Sequence, residues 1–247
     1  MENLEGLFEL FSGTPRQGPG SEASTLKALS FIDLPKDADI ADIGCGSGAQ
    51  TLALLKNTSA RITAVDIFDG FLARLGAQAQ EAGLSGRLNL INGDMAALNF
   101  TENAFDCVWS EGAAYIMGFS RALKEWRRLL KPRGFLAVSD LTLTGENRPE
   151  EVTAYWTREY SEAAPAAAKL ALAESLGYEV LGHFILPKED WLAYYAGLRE
   201  SLEPFRRKNA ADAAAAALVK ETEAEMEFYS KYSDYYSYGF YALRRND

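Results

Sequence analysis

The chain has 247 residues, a formal net charge of −10 and a hydrophobic share of 48%, which suits one large α/β domain with insertions and a substantial core. The acidic balance argues against a broad phosphate-neutralising surface, and so against duplex nucleic acid or an anionic membrane as a main partner. Cys45 and Cys107 make no disulfide framework, "MENLEGLFELFSG" has no basic n-region and no apolar run reaches membrane-spanning length, so a cytoplasmic, soluble protein is expected.

The first readable element is the stiff loop "PRQGPGS", with Gly20 or Ser21 as N-cap of a helix "EASTLKALSFI". Arg16 and Gln17 carry donors suited to a ligand carboxylate, and Gln17 and Gly18 are the residues expected to touch a cofactor. From residue 38, short β-rich runs alternate with helical ones: strands at 38–44, 61–68, 88–95, 105–111 and 135–143, and helices around 49–56, 69–83 and 117–130. This alternation predicts a mostly parallel sheet with helices on both faces. "LKPRGF" is expected to close the third of these helices and turn into the next strand.

Pro149 and the glutamates after it open another helix, and "PAAAKLALAESLGYEVLGHFILP" reads as a helix running into a sixth strand at about 179–186. Residues 187–237 form a helical insertion that includes an alanine-rich helix, and "YGFYALRR" is a last strand. The expected organisation is a single domain over 1–247 with helical cap elements at about 145–162 and 187–237.

"IADIGCGSGAQT" can be read two ways. Gly44-x-Gly46-x-x-Ala49 fits a dinucleotide fingerprint, and Asp42-x-Gly44-x-Gly46-x-Gly48 fits a turn that holds S-adenosylmethionine. Asp66, at the end of the second strand, suits the ribose of either. Asp42 separates them: an acid there opposes a pyrophosphate but suits a donor carrying an ammonium and a sulfonium. The third strand ends in Asp94 and Met95, which can accept from an adenine amino group and cover its ring. The fourth ends in "WSEGAAY", which would line the methionine part. All four segments fall on the carboxyl edge of the sheet, where open α/β sheets bind ligands.

Taken together, "PRQGPGSEASTLKALSFI", "ADIGCGSGAQT", "GDM", "FDCVWSEGAAYIMGFSRALKEWRRLLKPRGFLAVSD" and "YSYGFYALRR" resemble the class I S-adenosylmethionine-dependent methyltransferases, within them the small-molecule type 11 group. The resemblance covers nearly the whole chain. It implies a Rossmann-like seven-stranded sheet with an antiparallel last strand at about 238–244, a donor turn at Gly44, Gly46 and Gly48, ribose binding by Asp66, and adenine binding by Asp94 and Met95. The long segment before the last strand departs from many members, so the family does not say what it contacts.

The cofactor contacts expected as a set are Gln17, Gly18, Asp42, Gly44, Gly46, Gly48, Asp66, Ile67, Asp94, Met95, Ser110 and Glu111. Glu111 and Tyr115 are the candidate catalytic residues, although Glu111 equally suits a capping role. Methyl transfer from a sulfonium depends mainly on in-line alignment, and a base is needed only for a protonated nucleophile. His183, the sole histidine, reads as structural. Trp156, Tyr160, Tyr232, Tyr236 and Tyr238 are candidates for the acceptor pocket, against core packing as the commoner use of such residues. No metal is expected. The partner expected is a small-molecule methyl acceptor with an N, O or C nucleophile, bound by a monomer or homodimer. Two other readings stay open: a non-catalytic S-adenosylmethionine sensor or scaffold, and an NAD-dependent oxidoreductase.

Overall fold

The structure is a computed structural model that describes residues 4–247. Helices α1 (Leu4–Ser12) and α2 (Glu22–Leu29) precede the sheet, and Ser21 caps α2 by accepting the Ser24 N–H at 3.1 Å. The regular core follows as β1 (Asp39–Ile43), α3 (Ala49–Asn57), β2 (Arg61–Asp66), α4 (Asp69–Glu81), β3 (Leu88–Asn92), β4 (Phe105–Ser110), α5 (Phe119–Arg127) and β5 (Leu130–Leu143). Then come α6 (Glu150–Glu159), the two-residue β6 (Ala164–Pro165), α7 (Ala166–Ser175), β7 (Tyr178–Ile185), α8 (Lys188–Lys208), α9 (Ala213–Tyr232) and β8 (Tyr236–Arg245).

The sheet order is β3-β2-β1-β4-β5-β8-β7, with β6 beside the end of β5. The five core strands run parallel, and β8 inserts antiparallel between β5 and β7. The expected Rossmann-like architecture is therefore present, with an eighth strand where seven were expected. β6 is too short for sequence patterning to reveal: only Thr142 and Leu143 pair with it.

Two expected boundaries shift. α5 ends at Arg127, short of 130, and "LKPRGF" lies within β5, where a turn had been expected. Leu130 pairs with Phe105, the register breaks, and pairing resumes at Phe135 with Cys107. The kink sits at Arg133, whose φ is +62°, beside Gly134, where a Cβ would lie 2.8 Å from the Lys131 carbonyl. α1 was not anticipated as a helix; its signal was the apolar spacing of Leu7, Phe8, Leu10 and Phe11.

Helices cover both faces. On one side Ile40, Trp109, Ala137 and Phe240 share a buried cluster with Ala28 of α2, Leu54 of α3, Leu198 and Leu202 of α8, and Met226 and Tyr229 of α9. On the other side Val108, Leu136 and Leu243 pack on Leu123 and Trp126 of α5 and Ala173 of α7. α8 and α9 thus share their apolar core with the sheet. No described helix is long and apolar enough to cross a membrane.

Candidate active site

The carboxyl ends of β1 to β4 converge on the glycine turn. Gly44, Gly46 and Gly48 have φ of +73°, +53° and +87°, a region that favours glycine. Gly44 also has no room for a side chain, since a Cβ would lie 2.4 Å from Cβ of Ala113. Every backbone N–H from residue 44 to 48 is bonded within the chain. Those of Gly44 and Cys45 donate to the Val65 carbonyl (2.9 and 3.0 Å), and that of Gly46 donates to Asp66 Oδ2 (2.8 Å). Ser47 donates to Gln17 Oε1 (2.7 Å) and Gly48 to the Cys45 carbonyl (3.0 Å).

Asp66 is held from two sides, because its Oδ1 accepts the Phe68 N–H at 3.0 Å. Burial raises its pKa while the backbone donors pull it back. The carboxylate is thereby fixed in orientation, and its remaining lone pairs can meet paired hydroxyls. Beyond it Ile67 is 49% exposed, an apolar lip at the strand end. Asp94 is exposed, with Oδ1 accepting the Ala96 N–H at 2.8 Å. Met95 leans toward the turn, its Cε 3.3 Å from where a Gly44 Cβ would stand.

Two residues expected to face the cofactor are turned away from it. Asp42 is 0% exposed, beneath the turn, where it accepts from Thr51 Oγ1 at 2.5 Å and from Gln50 Nε2 at 3.4 Å. Burial pushes its pKa up to about 7, against the Thr51 hydrogen bond. The helix-side hydroxyl thus claims the acid that the sequence had assigned to the donor's positive charge. Ser110 is also fully buried, and its hydroxyl donates to the Ile43 carbonyl at 2.8 Å, tying β4 to β1.

The loop after α1 straps this edge. Gln17 spans it, donating through Nε2 to the Thr14 hydroxyl (3.2 Å) while its Oε1 meets the turn. An added Cβ on Gly18 would touch nothing within 4 Å, so this residue faces open space. Arg16 pairs with Glu111 at 2.9 Å. Glu111 also accepts from Thr25 Oγ1 (2.7 Å) and Trp109 Nε1 (2.9 Å), and its side chain is 5% exposed. With three donors on it, Glu111 anchors the strap, a bonding role beside the catalytic one expected of it. Tyr115 is 45% exposed, its ring edge-on to Tyr160 at 6.2 Å.

The aromatic candidates divide. Tyr160 donates from its hydroxyl to both oxygens of Asp140 (3.1 Å each), and Lys169 pairs with the same carboxylate in full burial. Burial raises the Asp140 pKa to about 6, opposed by Lys169. The Tyr232 ring is buried against Phe228 at 4.8 Å, and its hydroxyl reaches outward to bond exposed Glu151 on α6. Tyr236 and Tyr238 remain, with Trp156 edge-on to Tyr236 at 4.8 Å and the Tyr238 ring against Gly112. His183 is exposed on the edge strand β7. Glu225 of α9 was not singled out in the sequence, and it accepts the Tyr195 hydroxyl at 2.8 Å. It sits half-buried next to Met226 and three residues before Phe228, and this position on the apolar face of an otherwise charged helix was its one sequence signal.

The groove between α8 and α9, lined by Arg199, Glu203, Arg206 and Glu223 among others, shares no residue with this edge. Its charges neutralise one another, Arg206 bonding to both Glu203 and Glu223.

A family model described as "Methyltransferase domain" matches residues 41–138. A sterol 24-C-methyltransferase of Gibberella zeae is 31% identical over 46% of this chain and 30% of its own length. The chain spans less than half the length of the curated sterol methyltransferases it matches. Two crystal structures of S-adenosylmethionine-dependent methyltransferases in complex with S-adenosyl-L-homocysteine share the fold. The one from Geobacter sulfurreducens has a TM-score of 0.84 at 20% identity over 97% of each chain. The one from Thiobacillus denitrificans has 0.84 at 20% over 98% of this chain and 99% of that one. The family match spans the glycine turn and β2 to β4 and ends inside β5, so residues 41–138 form a methyltransferase domain, and the chain is similar to the class I S-adenosylmethionine-dependent methyltransferases of the type 11 group.

Proposed function

We propose that the protein transfers a methyl group from S-adenosylmethionine to a small-molecule acceptor. The observation that carries this reading is the state of the turn's donors. Because all five N–H groups from Gly44 to Gly48 are bonded inside the chain, none is free to cradle a pyrophosphate, as a dinucleotide would require. An adenosine without phosphates needs no such donors. It needs a fixed carboxylate for its ribose, supplied by Asp66, and apolar cover for its base, supplied by Ile67 and Met95 with Asp94 as acceptor.

When bound, the donor would supply a methyl group already activated by a sulfonium. The chain's contribution is then position: the Gln17 strap and the Arg16–Glu111 pair close the edge, and α1 leans over it, with Phe8 packed on Phe68 and Phe71. Alignment and exclusion of water account for much of the expected acceleration. The sterol methyltransferases among the relatives make a carbon acceptor a second candidate.

Isothermal titration with S-adenosylmethionine, S-adenosylhomocysteine and NAD tests the reading. The first two bind, NAD does not, and Asp66→Ala weakens binding by about 1.5–3 kcal/mol, the worth of hydrogen bonds to a charged group. Binding of NAD alone would overturn it.

A further inference from the structure

Glu225 is an unusual side chain for its surroundings. On α9 its acidic neighbours Glu221, Glu223 and Glu227 are exposed, while Glu225 turns inward beside buried Thr222, Met226 and Tyr229. Among the described residues it forms no ion pair, and the one hydrogen bond it receives comes from the Tyr195 hydroxyl at 2.8 Å. Burial raises its pKa.

Around it stands a ring of aromatic side chains drawn from α6, α8, α9 and β8. Burial, and after it the negative charge of Glu225, raises the pKa of Tyr155, Tyr194, Tyr195 and Tyr236. Tyr238 is 9% exposed, and Trp191 lies edge-on to it at 5.1 Å while stacking on Tyr229 at 4.7 Å. The hydroxyls of Tyr194, Tyr236 and Tyr238 have no hydrogen-bond partner among the described residues, nor has the buried Trp156 Nε1. This ring abuts the donor edge: a Cβ on Gly112 would lie 3.2 Å from the Tyr238 ring, and Ala113 next to it touches Gly44.

A carboxylate withdrawn from water without a counter-ion is costly, and aromatic faces present negative potential that makes an anion still less welcome. Both features are relieved by one kind of occupant, a cation seated over the rings. We propose that this cluster takes the methyl acceptor through an amine nitrogen, with Glu225 as its counter-ion and the tyrosines and Trp191 as its cage. The assignment rests on the methyl-donor reading above. In the transfer, the bound ammonium first gives one proton to Glu225, and the lone pair so freed forms the N–C bond as the C–S bond breaks, that bonding pair staying on sulfur. The positive charge moves from sulfur to nitrogen, and Glu225 gives its proton to water, so that the carboxylate again faces a cation.

The experiment is titration of choline, an unreactive cation, and of its uncharged isostere bearing a tert-butyl group, into protein saturated with S-adenosylhomocysteine. Choline binds about tenfold or more tightly than the isostere. Glu225→Gln lowers choline affinity about tenfold and leaves that of S-adenosylhomocysteine unchanged, and Tyr194→Leu, which removes a ring but no charge, also lowers choline affinity. Equal binding of the two probes, no binding of choline, or full choline affinity in both variants overturns the proposal, and equal binding points to a neutral acceptor. Failure of S-adenosylhomocysteine to bind overturns the donor reading instead, and the choline preference is then read on the same protein without it.

Discussion

The two halves of the site are built from different materials. On the donor side, geometry comes from backbone: three positive-φ glycines, five paired N–H groups and one carboxylate clamped between Gly46 and Phe68. On the proposed acceptor side it comes from side chains on α6, α8, α9 and β8, brought together across up to about eighty residues of chain. A backbone device is fixed within a few residues and tolerates little change. An aromatic cage is spread over many contacts, and single changes in it cost less.

The sharpest way to break this contrast is Gly44→Ala. It forces a left-handed φ on a residue with a Cβ and drives that Cβ into Ala113. Together these cost about 2–4 kcal/mol of stability, read as a lower urea midpoint, with S-adenosylhomocysteine binding lost. A midpoint equal to that of the wild type would mean that the turn relaxes and is no rigid cradle.

Glu111→Gln tests the seam between the halves. It leaves Arg16 without its anion, at a cost of about 2 kcal/mol, below the range for a fully buried pair because Arg16 still reaches water and glutamine keeps an acceptor for Thr25 and Trp109. If the strap is the role of Glu111, the loss appears in stability and donor affinity together. A collapse of turnover with both intact would restore its expected catalytic role.

Asp42 gives the donor side a pH signature. Its folded pKa of about 7 lies above its ordinary value of 3.8, so between these the folded state holds a proton that the unfolded chain has released. Stability therefore falls as pH rises from about 4 to 7. Burial of Asp140, with a pKa of about 6, adds a slope of the same sign. Asp42→Asn, which keeps an oxygen for Thr51, flattens the urea midpoint between pH 5 and 8; an unchanged slope would assign the dependence elsewhere. The smallest effect is expected at Tyr232→Phe. Its lost bond to exposed Glu151 is worth about 1 kcal/mol or less and leaves acceptor affinity unchanged.

The same contrast explains what was legible in the sequence. β1 to β4, the glycine turn and Asp66 could be read directly because each is a local pattern with a local cause. Asp42 was misplaced because strand alternation does not say which face Thr51, one helical turn into α3, will claim. Tyr232 and Tyr236 are four residues apart and both have buried rings, yet the hydroxyl of one turns outward to Glu151 while the other stands in the proposed cage, a division set by where α9 stops and β8 begins. Glu225 looked like one more solvated glutamate, since only tertiary packing distinguishes it from Glu223.

The antiparallel entry of β8 has a consequence for biosynthesis. Phe135–Leu143 of β5 and most of β7 pair with nothing on their facing edges until residues 236–245 arrive, after both long helices have been made. A chain growing from its N-terminus therefore carries two open strand edges through that interval, a template for wrong pairing. Arrested nascent chains ending near residue 232 should be cut readily by protease in β7, and protection there should appear once the last strand has cleared the ribosome.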